Sequence, residues 1–199
     1  MTTLADIRSH IRIDLHDTDS GAYRWSDDEL DRHIARALDD VSRAIPREES
    51  ATLATTPGSR DVSLGSLTGL IEVEAVEYPA GEYPPSYVAF AAWKGTLTLH
   101  SPGLPDGTNV RIFYTARHTL DGSGTTLAGY LEDLVATGGG AYAALEGSVY
   151  GIDRLNMGGQ RVAAEYGAWA RARLTAFEQL LKHHGRSRSL RPRRLFVSA

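Results

Sequence analysis

Apolar residues recur every three or four positions at both ends of this chain and at every second position in its middle. No other feature constrains the fold as tightly, because a helix repeats its buried face about every 3.6 residues and a strand every two. The pattern predicts an α+β protein. It comprises an antiparallel bundle of about four helices, an inserted small β-sandwich or barrel, and an extended basic C-terminal tail. The bundle is assigned to residues 1–48 and 122–185, the β module to 49–121 and the arm to 186–199. An insertion of this kind requires only that its two ends lie close together.

The first helix is expected over Thr3–Leu15. Thr3 can cap it, and Ile7, Ile11 and Leu15 form one stripe. The second opens on Ser26, with Glu29 three residues on as a capping box and Asp27 and Asp28 in the first turn. Its buried face is Leu30, Ile34, Ala37, Leu38, Val41 and Ile45, and Pro46 ends it. Strands are expected near Ala51–Thr55, Asp61–Leu64, Ile71–Ala75, Tyr87–Trp93, Thr96–His100 and Asn109–Ala116. A hairpin is expected at Lys94-Gly95, and Ile71–Ala75 alternates cleanly. Helical periodicity returns with Leu131, Leu134, Val135, Gly138, Tyr142, Leu145 and Val149. The consecutive glycines Gly138, Gly139 and Gly140 each cost a helix interior about 1 kcal/mol against alanine, so they are tolerable where another backbone packs closely against them. After a loop at Asn156–Gly159, a last helix runs to about His183. Val162, Tyr166, Trp169, Leu174, Phe177 and Leu181 face inward, and Gly185 is its cap.

No apolar run approaches the roughly 20 residues that cross a bilayer, and no signal peptide is expected. Cysteine is absent, which removes disulfides, thiolate metal sites and a cysteine nucleophile, and fits a reducing compartment. The 199 residues carry a net charge of −4, which conceals a division. Through Leu181 there are 15 basic and 25 acidic residues. Beyond it stand Lys182, Arg186, Arg188, Arg191, Arg193 and Arg194 with no acid. A body of −10 and a tail of +6 indicate an interaction arm.

Catalytic signatures are missing. There is no phosphate loop with its lysine, no zinc helix and no serine elbow. Gly122–Thr126 reads as a linker, and His183-His184 are adjacent, so they do not share a helix face. Asp17-Thr18-Asp19-Ser20-Gly21 imitates a calcium loop, but Ala22 stands where the glycine is required, so a turn is expected. No catalytic residue, metal or cofactor is assigned, and the chain reads as a non-enzyme. Trp25, Trp93 and Trp169 read as core or interface aromatics. Tyr78, Tyr83 and Tyr87, separated by Pro79, Pro84 and Pro85, read either as a stiff connection or as a contact loop. The arm uses arginine, suited to forked recognition of carboxylate and phosphate, and ends on Leu195-Phe196-Val197. Extended, it would reach roughly 45 Å.

These residues resemble the head-to-tail adaptor, or connector, family of tailed double-stranded-DNA bacteriophages. The resemblance rests on Tyr23-Arg24-Trp25-Ser26-Asp27-Asp28-Glu29-Leu30 opening the second helix and Ala44-Ile45-Pro46 closing it. It rests also on the β insertion and on Glu132-Asp133-Leu134-Val135-Ala136-Thr137-Gly138 opening the long helix. It implies a structural protein of the virion neck, assembled in the bacterial cytoplasm. Usually twelve copies would form a ring beneath the portal, receiving the next tail component on the opposite face and passing genomic DNA through the lumen. It implies that Arg186, Arg188, Arg191, Arg193, Arg194, Leu195 and Phe196 dock on the portal protein. The residues alone leave a second reading open, a nucleic-acid-binding assembly module that uses the same arm.

Overall fold

The structure is a computed structural model that describes the backbone of residues 2–154 and 160–189, with side chains described over 2–148 and 165–185. The chain divides into two compact units, Met1–Ile45 with His118–Ala199, and Pro46–Arg117.

The first unit holds four helices: α1 (Leu4–Asp14), α2 (Asp27–Ala44), α3 (Gly129–Arg154) and α4 (Gln160–Ser189). α1 and α2 both start on a capping box. The Thr3 hydroxyl accepts the Asp6 N–H, and the Ser26 hydroxyl accepts the Glu29 N–H. The Asp6 and Glu29 carboxylates accept the cap residues' own N–H groups. These reciprocal bonds hold both carboxyls below the ordinary carboxylate range. α3 packs against α1, α2 and α4. Their shared core contains Ile7, Ile11, Leu30, Ile34, Val41, Leu131, Val135 and Phe177, all essentially inaccessible.

A close approach occurs at the triple glycine, but side chains make it where another backbone was expected. A Cβ on Gly138 would lie 2.7 Å from two ring atoms of Phe177 and 3.0 Å from the Ala37 Cβ. A Cβ on Gly139 would meet Ile11 at 2.8 Å. One turn further along, the Tyr142 ring meets Phe177 edge-on, and the Arg36 guanidinium lies over the Tyr142 ring. Its hydroxyl donates to Asp40 at 2.6 Å. Burial and the Asp40 carboxylate push the Tyr142 phenol up to about 12. Tyr142→Phe keeps the ring and removes this bond. It is expected to lower stability by about 1.5 kcal/mol, read as a shift in the urea midpoint at constant slope.

Two details of the last helix differ from the sequence expectation. Trp169 is 38% exposed and stacks on Tyr166, with Arg173 over its face. Gly185 lies inside α4, which continues to Ser189. A single glycine costs a helix about 1 kcal/mol and does not by itself end one. The expected loop at Asn156–Gly159 falls on residues 155–159, outside those described.

The second unit holds β1 (Arg47–Ala54), β2 (Asp61–Ser63), β3 (Leu70–Glu77), β4 (Phe90–Trp93), β5 (Thr96–Leu99) and β6 (Asn109–Ala116). They form two antiparallel three-stranded sheets, β1-β6-β3 and β2-β5-β4. One apolar cluster draws on both sheets: Val76, Val110 and Ile112 from the first, Val62, Leu97 and Leu99 from the second. β1 begins four residues earlier than Ala51. With Pro46 closing the helix, Arg47–Ala54 alternates in burial and pairs with β6 along its whole length. The β4–β5 hairpin turns at Lys94-Gly95, where φ is +47° and +76°. This is the doubly positive geometry a two-residue hairpin demands. β3 does not alternate cleanly. Its register slips between Leu70 and Glu72 and again between Val73 and Ala75. The slips leave Ile71 exposed and put Val76, opposite Ile112, on the core face with Val73, so that Glu77 is buried on the other face, opposite Arg111.

Candidate interaction surface

The acids and histidines singled out in the sequence make contacts within the fold. Asp17, first in the calcium-loop lookalike, is buried. Its carboxylate accepts from Arg12 at 2.5 Å and from the Arg24 N–H at 2.7 Å. The Asp19 carboxylate accepts the Gly21 N–H. Among the described residues no group of His, Asp and Glu is arranged to hold a metal ion. In the linker, Asp121 accepts the N–H groups of Ser123 and Gly124. The His183 and His184 rings meet each other edge-on, and His184 also meets Tyr130. No helix among the described residues is long and apolar enough to cross a membrane.

The tyrosine loop is built from the end of β3. Backbone bonds continue past the strand: Tyr78 N–H to the Ser86 carbonyl, and Val88 N–H to the Val76 carbonyl. These bonds close residues 79–85 into a projecting loop. The Ala80 N–H donates to the Asn109 carbonyl. Beneath the loop lies Glu77, only 2% exposed. One of its oxygens accepts the Gly81 N–H at 2.7 Å, and the other accepts from Arg111 at 3.2 Å. A buried carboxylate requires such partners. Gly81 takes φ of +85°, a conformation that favours glycine.

This construction separates the three tyrosines. Tyr78 packs against the apolar cluster of the unit. Tyr87 bridges to Glu77 and lies 6.1 Å from the Phe113 ring. Only Tyr83, at the tip, is in solvent, at 97% exposure. Trp93, at the hairpin end of β4, is 78% exposed. Sequence reasoning missed Glu77 altogether: it lies beyond the expected strand Ile71–Ala75, and the partners that accompany its burial are the Gly81 N–H of the loop and Arg111 of β6. Of the predicted arm residues, Arg186 and Arg188 fall within α4 along the backbone, so the extended segment does not begin at residue 186. Arg191, Arg193, Arg194, Leu195 and Phe196 lie outside the described residues.

A family model described as SU10 adaptor protein matches residues 2–195. The match takes in both units and reaches Leu195. The chain belongs to the SU10 adaptor protein family. No curated protein matches it. Membership makes the chain a phage adaptor, a structural component of the virion. Among the described residues, an SU10 adaptor thus exposes the single aromatic side chains Tyr83 and Trp93 at the ends of turns.

Proposed function

We propose that this SU10 adaptor forms a ring, usually of twelve copies, beneath the portal of a tailed phage. Its C-terminal arm (Arg186, Arg188, Arg191, Arg193, Arg194, Leu195 and Phe196) docks on the portal protein. The opposite face receives the next tail component, and the lumen passes genomic DNA without reading its sequence. The observation that carries this reading is the division of charge, −10 through Leu181 and +6 beyond, in a chain of an adaptor family. An arginine-rich end can fork onto carboxylates of a neighbouring protein. An acidic body leaves DNA unbound, because adhesion to phosphate needs neutralising cations. Weak contacts repeated around a ring sum to a stable joint.

Serine in place of the five arm arginines is expected to abolish co-sedimentation with portal rings while leaving the circular dichroism unchanged. Undiminished co-sedimentation would sink the docking assignment. Duplex DNA gel shifts over a salt series test the competing nucleic-acid reading. Steeply salt-dependent binding that disappears in the serine variant would favour it.

A further inference from the structure

The loop of the second unit combines an exposed ring, a single charge and a buried brace. Between Tyr78 and Trp93 the only charged residue is Glu82. It precedes Tyr83, whose ring is almost wholly in water. The tip is nevertheless anchored at several points. Glu77 holds the Gly81 N–H, Asn109 holds the Ala80 N–H, and Ser86 and Val88 pair back onto the end of β3. Anchoring the backbone that carries a large ring lowers the ordering cost of association. Tyrosine on such a mount has the character of an interface hot spot.

We propose that Glu82-Tyr83 is a preformed docking finger for a pocket on the tail-side neck protein, lined by an arginine or lysine, and that Glu77 is its positioning residue. The assignment rests on the adaptor reading above. Charge selects the occupant. In the reading above the basic arm takes the portal. The finger carries one carboxylate and no cation, so it suits a basic surface, which we assign to the neighbour on the opposite face. A guanidinium or ammonium group can stack on the Tyr83 face while it pairs with the adjacent Glu82 carboxylate.

The test uses the full chain with the purified portal and tail-side neck proteins of the same virion, by biolayer interferometry at low and high salt. Tyr83→Ala is expected to weaken tail-side binding about tenfold or more, whereas Tyr83→Phe stays within about twofold. Glu82→Arg is expected to weaken it further at low salt than at high salt, the reverse of the wild type. Portal binding should be unchanged in all three. For the brace, Glu77→Ala should speed hydrogen exchange at the Gly81 amide and weaken tail-side binding. Glu77→Gln, which keeps the accepting oxygen, should restore both. Wild-type tail-side affinity in Tyr83→Ala and Glu82→Arg, with portal binding still dependent on the arm, overturns the finger and leaves the adaptor reading standing. Unchanged Gly81 exchange in Glu77→Ala overturns the positioning role. A wild-type chain that binds neither neck protein overturns the adaptor reading, and the finger's partner with it.

Discussion

Arg12→Ala is expected to destabilise the protein by about 3–5 kcal/mol, the cost of breaking a buried ion pair from one side. Much of the 5–15 kcal/mol that keeps a domain folded would go with it. Arg12 sits at the end of α1 with its guanidinium almost wholly buried. It donates to Asp17 at 2.5 Å, to the Trp25 carbonyl at 3.0 Å and to Asp27 at 2.8 Å, and it lies 3.6 Å from the centre of the Tyr23 ring. Removing it strands the Asp17 carboxylate, which is 3% exposed, along with a buried carbonyl. The double substitution Arg12→Met with Asp17→Leu should recover only part of the loss, because Asp17 also accepts the Arg24 N–H. Thermal and urea unfolding of the three proteins read this directly.

The variant also changes the acid limb of stability. The Arg12 guanidinium holds the Asp27 carboxyl below its usual range, with Arg8 assisting. A lowered folded pKa contributes stability that is present above the unfolded value, near 3.9, and is lost as pH falls through the folded one. Unfolding curves between about pH 5 and pH 2 should therefore be shallower in Arg12→Ala than in the wild type.

Gly138→Leu should be comparably damaging, at about 3 kcal/mol or more, because overpacking a filled core forces backbone and rotamer shifts. The first added carbon would already stand 2.7 Å from Phe177, which is itself fully buried. Gly138→Ala is the finer probe. It gains about 1 kcal/mol of helix propensity and incurs a clash of about 1–3 kcal/mol. Combining it with Phe177→Leu should be less harmful than the sum of the two single changes, since the smaller side chain vacates the space. Additivity in that double-mutant cycle would contradict direct ring-to-glycine packing.

These residues show what could be read in advance. The starts of α1 and α2 were legible because a capping box is local chemistry, a hydroxyl and a carboxylate three residues apart. The stripes Ile7-Ile11-Leu15 and Leu30-Ile34-Ala37-Val41 were legible because burial follows the helical period. The triple glycine announced a close approach but not its partner, Phe177, some forty residues away. Glu77 was invisible, because it lies past the alternating stretch and its partners are a loop amide, Gly81, and Arg111 of another strand. Gly185 misled because a glycine after a basic last turn looks like a cap, and nothing local says that the helix continues. Among the tyrosines, composition left a stiff connection and a contact loop both open. Only the fold shows that Tyr78 and Tyr87 support it and that Tyr83 stands clear.

The central claim is that the basic end of the chain joins this adaptor to a portal. The most direct measurement is the native mass of portal rings mixed with the full-length chain and with a chain ending at Gly185. The account predicts that the full chain adds to the ring in a fixed number of copies, while the shortened chain, still folded, leaves the portal mass unchanged. Addition of the shortened chain in the same number and with the same affinity would contradict it.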